Sequence, residues 1–129
     1  MANRLGSSSM FKPDTKLFDT HNINKKDYNK YNVTSTEEIE CDTIENSLKE
    51  LNIKNLDYLK IDTQGSELQI LKGLGTYRPS IIKLEAHIFS MYAGVPSWTE
   101  ILTLLNKLNY VLVDWKGIGK HNTRVPAEI

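Results

Sequence analysis

Asp62, Glu67, Glu85 and His87 are the side chains of this 129-residue sequence whose types and spacing suit proton transfer. Asp62 closes a short apolar run, and Gln64 and Gly65 then open a turn that leads to Glu67. Glu85 and His87 stand two residues apart, so in a strand they share one face. Histidine has the unperturbed pKa best matched to a general base near neutral pH, whereas a carboxylate needs burial to rise towards that range. One assignment makes His87 the base. The other makes Asp62 or Glu85 the base and His87 the residue that orients it. A bland reading stands beside both, in which Glu85 pairs with Lys60 or Lys83 and His87 is simply packed. Clustered acids also offer oxygen ligands to a divalent ion, but no spacing here requires one, and no metal is expected.

These groups need elements to hold them. Leu59 and Ile61 alternate with Tyr58 and Lys60, as in a strand, and Asp62 falls where a strand of an open α/β sheet presents its carboxyl end. Ligands of such sheets sit outside those ends. Gly65 permits a tight turn, and Ser66 with Gln69 has capping-box spacing, which places Glu67 in the first turn of a helix. Leu68, Leu71 and Leu74, with Ile70, give that helix an apolar face, and Gly73 or Gly75 ends it.

Upstream, Glu38 to Cys41 reads as a short strand, and Asp42 with Glu45 as a second capping box. Ile44, Leu48 and Leu51 predict a helix over 43–51, with Glu45 and Lys49 paired on its exposed side. Downstream of the central helix, Arg78, Pro79 and Ser80 break the pattern, and residues 81–89 read as a buried strand carrying Glu85 and His87 near its carboxyl end. That position, beside the Asp62 strand, favours function over the bland reading. Residues 90–97 form a loop over the same sheet edge, with Tyr92 exposed in it. Ser97 with Glu100 is a third capping box, opening a helix whose face is Trp98, Ile101, Leu102, Leu105 and Leu108. Tyr110 to Trp115 is strongly β-forming, and the Gly117, Ile118, Gly119 run beyond it reads as a loop. Residues 1–36 are polar and lack periodicity, as in a surface loop or flexible segment, and on composition Ser7, Ser8 and Ser9 read as linker.

The stretch Leu59, Lys60, Ile61, Asp62, Gln64, Gly65, Glu67, Leu71, Lys72, Gly73 resembles the signature of the FkbM family of S-adenosylmethionine-dependent methyltransferases, in which an LKID strand runs into a QGxE turn and a helix ending LKG. Residues 6–13 resemble the family's serine-rich segment, and residues 84–96 its next strand and loop, so almost the whole chain is covered. The resemblance implies an α/β fold, the Rossmann-like three-layer sandwich of class I methyltransferases. It is incomplete here, holding only the later strands and helices of the sheet, because no glycine-rich turn precedes Asp62. The expectation is one partial domain over 1–129 with an α/β core over 37–129, and with Met1 an internal start.

The resemblance further implies an O-methyltransferase that uses S-adenosyl-L-methionine on a hydroxyl of a sugar, polysaccharide or secondary metabolite. Asp62, Glu85 and His87 are then the catalytic candidates; Asp62, Gln64 and Gly65 the cofactor contacts; and Glu67, Ser8 and Tyr92 the substrate contacts. Methyl transfer to a hydroxyl is an in-line displacement helped by near-attack geometry and by a base that takes the hydroxyl proton.

Composition fits a single globular domain, with 40% hydrophobic and 25% charged residues. Sixteen basic and sixteen acidic residues balance, so neither nucleic acid nor an anionic membrane is an expected partner. A single cysteine, Cys41, excludes an internal disulfide framework and suits a reducing, cytoplasmic setting. Two other classes compete. A non-catalytic α/β module would bind through the sheet edge left open by the missing strands, as a homodimer that pairs those edges. A hydrolytic enzyme using Asp62 ranks below it, since the chain has no G-x-S-x-G elbow and no second acid at DxD spacing.

Overall fold

Two short strands, β1 (Tyr58–Ile61) and β2 (Ile81–Leu84), lie parallel and in register, Tyr58 opposite Ile81 and Ile61 opposite Leu84. The structure is a computed structural model and describes residues 8–20, 24–88 and 90–116. Ser7, Phe89 and the Gly117 to Gly119 run lie outside the described residues.

Along both strands exposure alternates. Leu59, Ile61, Ile82 and Leu84 turn towards the core, while Tyr58, Lys60, Ile81 and Lys83 face outwards. Parallel strands need a crossover, and here it is α4 (Glu67–Lys72). Its Leu68 and Leu71, with Leu74 just beyond, pack with Ile61 and with Ile101 of α5 (Trp98–Lys107). Each such buried side chain contributes roughly 1.5–3 kcal/mol. Ile44 of α3 (Ile44–Glu50) leans on the same cluster. The described residues thus form a mixed α/β arrangement in which the sheet's inward side chains meet helices, while its opposite face is exposed. The expected third layer is not formed among them.

Several local expectations are corrected. Residues 38–41 form no strand, and Ile39 is 70% exposed, because a strand exists only through a hydrogen-bonded neighbour and none lies beside this segment among the described residues. The same holds for Tyr110 to Trp115, where Val111, Leu112 and Val113 stay exposed. Strand β2 stops at Leu84 instead of running to residue 89, and it is half-exposed instead of buried. Helix α3 is capped by Thr43, whose hydroxyl accepts from the Asn46 amide at 3.1 Å, while Asp42 accepts from the Asn46 side chain at 2.8 Å. The Ser97 and Glu100 box forms as expected, as does the Glu45–Lys49 pair at 3.0 Å.

The polar segment before residue 36 is more ordered than its composition suggests. It carries α1 (Thr15–Thr20), α2 (Lys25–Tyr28) and a 3₁₀ turn, Asn29–Tyr31. Phe18 is fully buried between the rings of Tyr28 and Tyr31, at centroid distances of 5.1 and 5.0 Å. A few aromatic residues close the helices onto one another, and a count of polar residues does not register that.

Candidate functional site

Beyond the carboxyl ends of β1 and β2 lies an open cavity of about 430 Å³, lined by Ser8, Asp62, Thr63, Gln64 and Glu85. Three separate stretches of chain supply these walls. Asp62 follows β1 directly, and Glu85 follows β2 with its amide donating to the Ile61 carbonyl at 3.1 Å. Ser8 arrives with the N-terminal segment, which is fastened to the loop after β2. The Ala93 amide donates to the Lys12 carbonyl at 2.8 Å, the Asp14 amide to the Met91 carbonyl at 3.0 Å, and Pro13 bridges to Tyr92.

The turn between Asp62 and α4 is built around Glu67, which is 1% exposed. Its Oε1 accepts from the Thr63 amide and hydroxyl, both at 3.0 Å, and from the Gly65 amide at 3.2 Å. The expected Ser66 cap is thereby replaced. Ser66 makes no side-chain capping bond, and its buried hydroxyl has no hydrogen-bond partner among the described residues. A longer side chain one position on reaches back over the turn, where serine at its observed backbone angles cannot. Gln64 and Gly65 both take left-handed backbone angles, φ 57° and 122°. At Gly65 a Cβ would lie 2.6 Å from Val95 Cγ2 and 3.0 Å from Phe11 Cδ2, so glycine is needed for both conformation and close packing.

Asp62 and Glu85 are a carboxylate pair within hydrogen-bonding reach of each other. Burial, then the bond to Asp62, pushes the Glu85 carboxyl above its ordinary pKa. The bond from Glu85, then the Lys60 ammonium 3.3 Å away, holds Asp62 below its own. In the pair, therefore, Glu85 takes up a proton more readily than Asp62 as the pH falls. Lys60 serves Asp62, not Glu85 as the bland reading had it. The Gln64 carboxamide donates to Glu85 Oε2 at 3.5 Å.

Of the residues singled out by sequence, Ser8, Asp62, Gln64 and Glu85 meet at the cavity, while Gly65 and Glu67 form the turn beside it. His87 is half-buried and outside the lining, though its charge acts on Glu85 and pulls against the upward shift. Tyr92, expected exposed, is corrected: it is 3% exposed, packs 6.0 Å from the Tyr31 ring, and burial pushes its hydroxyl up to about 12. Thr63 was not foreseen as a wall residue, since nothing in its type or spacing sets it apart. Among the described residues no group of three or more His, Cys, Asp or Glu is arranged to hold a metal ion, and no helix is long and apolar enough to cross a membrane.

No curated protein and no solved structure matches the chain. A family model does, that of the methyltransferase FkbM domain, over residues 4–112. The match takes in all three stretches that wall the cavity, the Glu67 turn between them and the greater part of the sequence. The chain therefore belongs to the FkbM methyltransferase domain family.

Proposed function

We propose that this chain is the later part of a Rossmann-like, S-adenosylmethionine-dependent O-methyltransferase domain, acting in the cytoplasm on a hydroxyl of a small molecule or glycan. The observation that carries the reading is the Asp62–Glu85 pair, whose pKa values are driven in opposite directions at the carboxyl ends of two parallel strands. The lining fits the polar portions of the cofactor. Asp62 and Gln64 would hold its hydroxyl or charged groups, and its sulfonium supplies an activated methyl group. Gly65 supports the cofactor contacts indirectly, by letting Phe11 and Val95 close on the turn.

Glu85 is the favoured base, because a carboxyl raised towards neutral pH is better matched to taking a proton from an acceptor hydroxyl. Asp62 stays ionised beside it and His87 tunes it from outside the lining. Ser8 and Thr63 bring hydroxyls that would bond the acceptor. The Glu67 carboxylate is taken up by the turn, so its share in substrate binding is to shape the wall.

Titrating S-adenosylhomocysteine calorimetrically into the 129-residue chain tests this reading. Micromolar affinity is expected, with a stabilisation of about 2.7 kcal/mol once ligand reaches a hundredfold excess over Kd. Asp62→Asn should weaken binding at least tenfold. A folded protein that gives neither heat nor a shift in melting temperature would overturn it.

A second reading is favoured by the exposed Val111, Leu112 and Val113 and by a two-stranded sheet with both edges free among the described residues. In it the chain pairs with a second copy of itself through those edges.

A further inference from the structure

Gln64 sits at φ 57°, in a left-handed conformation that residues other than glycine, asparagine and aspartate seldom adopt without support. The support comes from Ser9, 55 residues earlier in the chain, whose hydroxyl donates to the Gln64 carbonyl at 2.6 Å. With its single proton committed, the same oxygen accepts from the Phe11 amide at 3.1 Å. Both bonds are fixed in turn by the docking of Lys12 and Asp14 on the 91–93 loop. Held this way, Gln64 presents its carboxamide to Glu85 Oε2 at 3.5 Å and lies near enough to Asp62 to help lower its pKa. A bond of that length is weak, so a small rotation of the Gln64 peptide would break it.

We propose that Ser9 is a positioning residue, whose hydroxyl locks the Gln64 peptide in the left-handed conformation from which the Gln64 carboxamide reaches both carboxylates of the cavity. The use made of that pair rests on the methyl-transfer reading; the positioning does not. The charged groups acting on Asp62 are Lys60 from β1 and Glu85 from the segment after β2, and those acting on Glu85 are Asp62, His87 and Glu67 of α4. Ser9 touches none of them, so its influence on Asp62 must pass through Gln64.

The test is NMR titration of the Asp62 and Glu85 carboxyl carbons in the ligand-free 129-residue chain. Ser9→Ala should raise the Asp62 midpoint as a donor to the charged form is lost. Ser9→Thr, which keeps the hydroxyl, should restore it. On a Gln64→Ala background Ser9→Ala should add nothing. An unchanged midpoint in folded Ser9→Ala overturns the proposal, as does a shift that persists undiminished without Gln64. If Ser9→Ala does not fold, Gln64→Ala alone must raise the midpoint and Ser9→Thr must leave it in place; failure of either is equally decisive. A wild-type chain without affinity for S-adenosylhomocysteine would sink the methyl-transfer reading and still leave these titrations to decide the role of Ser9.

Discussion

Glu85 and Asp62 show how two carboxylates one hydrogen bond apart acquire different tasks. Neighbouring carboxyls resist double ionisation, so the more buried Glu85 is pushed up and Asp62, beside Lys60, is held down. The consequence for stability follows from the signs. Glu85 has a folded pKa above its unfolded value near 4.3, so its favourable contribution is complete below that value and is lost as pH rises through the folded pKa. Asp62 is the reverse, contributing above its unfolded pKa and losing that contribution as pH falls through its lowered folded one. Glu85→Gln is uncharged at every pH and resembles the protonated acid. Its melting temperature should therefore exceed that of the wild type at pH 7 and converge with it in acid, as thermal melts across the pH range would read. Curves that run parallel throughout would mean that Glu85 is not raised.

At the scale of elements, the turn after β1 and the start of α4 act as one unit because Glu67 belongs to both. Three donors from Thr63 and Gly65 converge on one carboxylate oxygen, satisfying amides that the short helix and tight turn leave open. Glu67→Ala would bury these donors without an acceptor. A loss of about 3 kcal/mol is expected, since bonds to charged groups contribute roughly 1.5–3 kcal/mol each and part is regained from water. Glu67→Gln keeps an acceptor of the same reach and should lose less than half as much. Urea denaturation of both variants checks the ratio. Equal losses would show that charge, not geometry, holds the turn.

Across the whole molecule, the inward side chains of the sheet are packed and the outward ones are not. Tyr58 and Ile81 on the open sheet face, and the unpaired segment from Val111 to Val113, leave apolar surface in water, where Val113 is 87% exposed. Exposed apolar surface and free strand edges both favour pairing between chains. Sedimentation velocity should accordingly show association that rises with protein concentration. Val113→Lys should shift the equilibrium towards monomer at least tenfold, because it places a charge in that exposed apolar segment. Association indifferent to Val113→Lys would place the contact elsewhere.

The sequence alone determined what depends on near neighbours in the chain. The alternation from Tyr58 to Ile61, the apolar face of Leu68, Leu71 and Leu74, and the Ser97 box all formed where they were read, since period and capping are local properties. The family, too, was legible, because its signature lies in one contiguous stretch that includes Asp62, Gln64 and Gly65. Tertiary structure alone decided the rest. Residues 38–41 and 110–115 have strand composition but no neighbour among the described residues, and a strand is a property of the pair. Tyr92 went inwards because Tyr31, 61 positions earlier, offered a ring to pack against. Above all, Ser9 joined Gln64 and Asp62 joined Glu85 across long separations in sequence, so the state of each group was set by a partner that only the folded chain brings within reach.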